Sequence, residues 1–141
     1  MGTISRNFSY REFERSDMAD RHEVCNVIRT AGVRDAVKAL TLEVLQPLRD
    51  AWDRPLHVNS GYRCAELNRL VGGVPSSQHV RGEAADIACD DPRGLAVTAV
   101  RLCLPFDQMI LYPDFVHFSH SLEGPQRGQV LYNWRYKGEK L

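Results

Sequence analysis

The sequence contains no C-x-x-C pair; its four cysteines, Cys25, Cys64, Cys89 and Cys103, stand far apart. This excludes a zinc ribbon and a thioredoxin-type redox motif, and the thiols are expected to be reduced and mostly in the core. No apolar run approaches the roughly 20 residues that a membrane-spanning helix needs, so no membrane partner is expected. The opening residues, Met-Gly-Thr-Ile-Ser-Arg-Asn-Phe-Ser, lack the apolar stretch of a secretory leader, and the expectation is a chain made in the cytoplasm without a signal peptide. Net charge is absent as well. Eighteen Lys and Arg offset eighteen Asp and Glu, which argues against a domain that binds nucleic acid through its overall charge. Internal repeats and low-complexity segments are also missing, which excludes solenoids and linkers.

What remains is the composition of a folded domain. Of 141 residues, 43% are hydrophobic and 26% charged, enough apolar material for one core without disulfide support. A single domain over residues 1–141 is expected, with residues 1–20 as an amino-terminal arm, in a monomer. Within the arm, residues 8–18 read as one short helical segment. Ser9 and Glu12 form a capping box there, and Phe8 and Phe13 can staple the arm to the body. Val37, Leu40, Val44, Leu45 and Leu48 recur at three- and four-residue intervals, so an amphipathic helix is expected over residues 33–52, bent or ended by Pro47. Residues 55–59 alternate like a strand. A helix near 65–71 ends at Gly72-Gly73, and residues 74–84 form a polar surface loop. Residues 85–88 are a short strand, and Asp90-Asp91-Pro92 starts a helix that stops before Pro105. Three short apolar runs follow, at 108–112, 115–119 and 129–134. Helices first and strands later imply an α+β fold, a small antiparallel sheet with flanking helices.

The chemistry concentrates in Ser60-Gly61-Tyr62-Arg63 and in Ser77-Gln78-His79-Val80-Arg81-Gly82-Glu83-Ala84-Ala85-Asp86. An imidazole at His79 and a carboxylate at Asp86, offered from a loop and the adjoining strand, suit a zinc ion. His117 is the third candidate, a single polar group whose strand neighbours Val116 and Phe118 face the other way. Two His and one Asp, with a fourth position open, is the composition of a catalytic zinc site. From spacing alone, hydrogen-bonded structural histidines remain an alternative. The H-E-x-x-H metalloprotease motif is absent, because Asn26 stands where His22-Glu23 would require the second His. Glu83, between the ligands, is an alternative base, although alternation turns it away from Asp86 unless the loop bends. His120, at an odd offset from His117, is expected on the surface. Tyr62, Tyr112, Phe115 and Trp134 are expected in core or rim packing or along a cleft.

Taken together, Val58-Asn59-Ser60-Gly61-Tyr62-Arg63, Leu67-Asn68, Val71-Gly72-Gly73, Ser77-Gln78-His79, Gly82-Glu83-Ala84-Ala85-Asp86-Ile87, Phe106-Asp107-Gln108 and Val116-His117-Phe118-Ser119 resemble the M15 family of zinc peptidases. That family comprises D-Ala-D-Ala carboxypeptidases and related phage endolysins that act on peptidoglycan peptides, and its fold is shared with the hedgehog signalling domain. The resemblance implies zinc on His79, Asp86 and His117. It places Arg63 where an arginine binds substrate and stabilises oxyanion charge. Ser77 and Gln78 are available for substrate contact, and with Ser119 they could hold the ligand imidazoles. Family members often carry their general base two or three residues before the last ligand. Phe115 cannot serve, so Asp114 is the candidate catalytic base, with a plain Pro113-Asp114 turn as the alternative. The implied activity is hydrolysis of D-amino-acid-containing peptidoglycan stem peptides by zinc-activated water, at the cell wall if the chain is a phage- or prophage-type lysin. The alternative is an inactive zinc-holding domain that binds peptidoglycan or serves as a structural part of a virion.

Overall fold

The structure, a computed structural model, describes residues 2–141. The chain begins with a hairpin of β1 (Thr3–Ser5) and β2 (Phe8–Ser9), followed by α1 (Tyr10–Glu14) and α2 (Asp17–Arg21). The expected single helix over 8–18 is therefore divided. The Glu12 carboxylate accepts the Ser9 backbone N–H, which starts α1, while Ser16 stays extended and caps a second helix by accepting the Ala19 N–H. Phe8 and Phe13 are both buried with ring centroids 6.5 Å apart, as the staple requires.

Helix α3 (Ala31–Leu40) runs through a π-helical turn (Thr41–Leu45) into α4 (Gln46–Trp52). Pro47 does not end the helix. It lies in the first turn of α4, where a missing N–H costs least, and the widened turn just before it takes up the ring. After β3 (His57–Ser60) come α5 (Ala65–Leu70), β4 (Ala84–Ala88), α6 (Pro92–Arg101), β5 (Gln108–Leu111), β6 (Phe115–Ser119) and β7 (Gln129–Tyr132). Among the described residues no helix is long and apolar enough to cross a membrane.

Five strands form one sheet in the order β3-β4-β6-β5-β7. The β3–β4, β4–β6 and β5–β6 pairs are antiparallel, as expected, and β7 joins β5 in parallel at the far edge. Both sides of β6 are already occupied, so the chain reverses through residues 120–128 and steps past β5. A reversal past an antiparallel neighbour produces a parallel pair.

Alternation gives the sheet two unlike faces. Ala85, Ile87, Met109, Leu111, Val116 and Phe118 are buried against Val37, Leu40, Val44, Leu48, Leu95 and Ala99 of the helices. Asp86, Ile110, Tyr112 and His117 are left on the opposite face, at intermediate exposure. The cysteines are unpaired, but they are not core residues: Cys25 and Cys103 are exposed and Cys64 and Cys89 half-buried. Aliphatic and aromatic side chains fill the interior instead.

Candidate metal centre

The β4–β6 register sets Asp86 directly opposite His117, both on the face turned away from the helices. His117 Nδ1 lies 2.8 Å from Asp86 Oδ1. His79 comes from the loop before β4 and brings Nε2 to 3.4 Å from the same oxygen. Three ligand-type atoms, one from each side chain, all lie within 4.8 Å of one another. His79 Nδ1 is 2.7 Å from the Gly61 carbonyl oxygen, which can only accept. Nδ1 therefore carries a proton, which leaves Nε2, on the side of Asp86, as the nitrogen that a metal would take. Burial disfavours the Asp86 carboxylate, but hydrogen bonds and charge from His117 and His79 outweigh it and hold the carboxyl well below its usual range. Two imidazoles and one ionised carboxylate converging from separate elements fit a zinc-type ion with an open position.

Arg63 sits beside this cluster, with Nη2 3.9 Å from Asp86 Oδ2. Its Nε donates to Ser60 Oγ at 3.2 Å and its Nη1 to Asn68 Oδ1 at 3.1 Å, which aims the guanidinium. Burial pulls the Arg63 pKa down from its ordinary value and Asp86 pulls it back up. The loop that carries Arg63 is anchored from the amino-terminal side. The Tyr62 N–H donates to the Phe13 carbonyl at 2.8 Å. Buried Asn26 donates to the carbonyls of Glu14 and Tyr62 and accepts the Cys64 N–H at 2.7 Å. A Cβ at Gly61 would come within 2.7 Å of the Phe13 backbone, so only glycine lets the two segments meet there. These supports escaped the sequence reading, because nothing near Asn26 or Phe13 in the chain points to residues 61–64.

The three ligands line a cleft of about 490 Å³ with Arg63, Ser77, Gln78, Tyr112 and Arg127. A larger groove of about 600 Å³ lies against α1 and residues 19–27, but the ligand cluster is not part of it. Chemistry locates the site here, and size does not. Ser77 Oγ accepts the His79 backbone N–H at 3.2 Å. Gln78 Nε2 donates to Asp107 Oδ2 at 3.2 Å and reaches Glu83 Oε1 at 3.4 Å. Neither side chain holds a ligand imidazole. Ser119 is buried and accepts the Gln108 N–H at 3.0 Å, so its hydroxyl is also committed elsewhere.

Glu83 is buried away from the cluster, accepting from Arg81 at 3.0 Å and from the Leu122 N–H at 3.0 Å. His120 is not a surface residue: it is half-buried, its Nδ1 has no partner among the described residues, and burial pushes its pKa down. Residues 120–128 fold back over this end of the sheet, which the offset from His117 could not foretell. Of the aromatics, Tyr112 lines the cleft and stacks on Phe115 at 4.1 Å, whereas Trp134 is 79% exposed. Asp114 occupies the β5–β6 turn, exposed and outside the residues that line the cleft. Its side chain makes no hydrogen bond or ion pair among the described residues.

The same residues organise the comparison with known proteins. Over 87 residues the chain is 36% identical to the zinc D-Ala-D-Ala carboxypeptidase of Streptomyces albus G, a match covering 57% of this chain and 31% of that protein. The chain thus spans less than a third of that relative's length. The family model described as peptidase M15 matches residues 7–120, a span that includes Arg63, all three ligand residues and the Asn26 and Gly61 supports. A match over most of the sequence therefore coincides with the elements that build the candidate metal centre, and the chain belongs to the M15 peptidase family.

Proposed function

We propose that this chain is a zinc-dependent peptidase that hydrolyses D-amino-acid-containing stem peptides of peptidoglycan. The observation that carries the reading is the convergence of His79, Asp86 and His117 within 4.8 Å on the open face of the sheet, with Arg63 alongside. His79, Asp86 and His117 would hold the ion, which when bound would supply Lewis acidity and acidify water at the site. Arg63 presents its planar fork to a substrate carboxylate or to the developing oxyanion, and its bonds to Ser60 and Asn68 keep it oriented. Asp114 acts as general base. Glu83 and Asp107 are committed to Arg81 and Arg127, whereas Asp114 has no side-chain partner among the described residues and lies three residues before His117, in the exposed β5–β6 turn from which its carboxylate must turn in to reach the ion. Tyr112 and Ile110 form the apolar floor on which the peptide lies. The protein acts at the bacterial wall, reaching it from the cytoplasm as a lysin does.

Digestion of purified muropeptides with zinc-loaded protein, followed by mass spectrometry, tests this. Products should appear, vanish with a chelator and return with added zinc. Failure to retain about one zinc per chain would remove the metal site. Retained zinc without any product would remove the activity. Asp114→Ala should keep the metal and lose roughly 100- to 10,000-fold in turnover, the usual worth of a general base; unchanged turnover would exclude Asp114.

A further inference from the structure

Arg127 was singled out by no motif, yet it lines the cleft alongside the metal ligands. It lies two residues before β7, at the edge of the sheet opposite β3, whereas Arg63 follows β3. The two arginines therefore flank the ligand cluster, in which Asp86 and His117 sit on β4 and β6 and His79 on the loop before β4.

Arg127 is held in an unusual way for a half-exposed side chain. Its Nε donates to Asp107 Oδ1 at 3.0 Å and its Nη2 to Asp107 Oδ2 at 2.7 Å. Asp107 itself is only 3% exposed and receives a further bond from Gln78. A buried carboxylate is thus spent on orienting a guanidinium that remains 53% exposed. Securing the loop does not require this. Backbone bonds from Gly128 N to the Phe106 carbonyl and from Gln129 N to the Asp107 carbonyl already tie it to the residues entering β5, and the Arg127 N–H adds a bond to Asp107 Oδ1 that does not need the guanidinium. Arg127 Nη1 donates to nothing among the described residues and is left for a ligand. The charges lining the cleft agree. Arg63, Arg81 and Arg127 line the cleft with a single carboxylate, Asp86, which is engaged by the imidazoles, while the partners of Arg81 and Arg127, Glu83 and Asp107, lie behind the lining. A guanidinium fixed through Nε and Nη2, with Nη1 turned to such a cleft, is suited to an anionic group.

Resting on the peptidase reading above, we infer that Arg127 is a specificity-determining residue that recognises a second carboxylate on the peptide, beyond the one met by Arg63. The substrate class is a peptide bearing an acidic side chain two or three residues from the scissile bond, since β6 and β7 are about 10 Å apart across two strand spacings. Asp107 and Gln78 are positioning residues that hold the Arg127 fork.

The test compares N-acetyl-X-D-Ala-D-Ala and N-acetyl-X-Ala-D-Ala-D-Ala, with X either Glu or Gln, each also made with a non-cleavable ketomethylene in place of the terminal amide. Binding of the non-cleavable forms to zinc-loaded full-length protein is read by calorimetry at low and high salt. The Glu form of at least one length should bind roughly 10- to 100-fold tighter than its Gln form, with the preference shrinking in salt. Arg127→Gln should abolish that preference and Arg127→Lys should keep part of it. Arg127→Gln leaves Asp107 unpaired, so the double variant Asp107→Asn/Arg127→Gln, which buries no lone charge, provides the same comparison should the single variant unfold. With the cleavable peptides, the loss should fall on KM for the Glu substrate and spare kcat. Equal binding of Glu and Gln forms at both lengths, no binding of either, or an undiminished preference in the Arg127 variants would each overturn the proposal. Absence of hydrolysis while the binding preference holds would count against the peptidase reading and leave the recognition site standing.

Discussion

A carbonyl oxygen cannot donate, and that simple fact sets the state of His79. Because Gly61 accepts from Nδ1, Nε2 is the nitrogen left for a metal, so a backbone atom 18 residues away shapes the candidate site. Asn26 acts in the same way at one remove. Its amide satisfies two carbonyls and one N–H around the loop that carries Gly61 and Arg63, although it hydrogen-bonds to none of the three candidate ligands. Asn26→Ala should leave those buried groups unpaired and cost about 1–3 kcal/mol, measured as a lower midpoint in denaturant. The kcat/KM should fall with it, because the Arg63 loop loses its anchor. Asn26 was legible only as a failed H-E-x-x-H position; its hydrogen bonds cross 36 and 38 residues and leave no local pattern.

At the scale of elements, the strands place the ligands and the amino-terminal segment holds the loop beside them. Alternation made His117 readable as the polar member of an apolar strand, and the observed register pairs it with Asp86. The segment before α2 was legible as an arm with a staple. Its division into two helices turned on whether Ser16 would continue one helix or cap the next, which local sequence does not decide. The long helix was legible from its apolar spacing, but its passage through Pro47 depended on a π-helical turn that no residue pattern announces. The close approach of α1 to residues 61–62 yields an element-level prediction. Gly61→Ala should push the Phe13 backbone away and cost about 1–3 kcal/mol, the range for overpacking a tight site. Zinc affinity, read by chelator competition, should weaken in parallel because the Gly61 carbonyl moves away from His79.

The whole molecule is a two-layer α+β body in which helices cover one face of a five-stranded sheet and the other face holds the cleft. At this scale the buried Asp107 joins β5 to the segment leading into β7. Hydrogen bonds from Arg127 lower the Asp107 pKa to about 2, against the opposing effect of burial. A carboxyl whose pKa is depressed in the folded state adds stability above its unfolded value near 3.9 and loses it as pH falls toward about 2. Melting temperature should therefore fall between about pH 4 and pH 2, and in Asp107→Asn that acid limb should flatten. An unaltered acid limb in the variant would show that this pair does not govern it. The amino-acid order alone pointed to the α+β class, most element positions, the candidate ligands His79, Asp86 and His117, and the family, because these depend on periodicity and on short motifs read within a few residues. Tertiary contact decided the rest: the parallel edge strand, the tautomer of His79, the burial of His120, the exposure of the cysteines and the Asp107–Arg127 pair. Each of these depends on which distant groups become neighbours once the chain has closed, and neighbours across the fold leave no trace in local order.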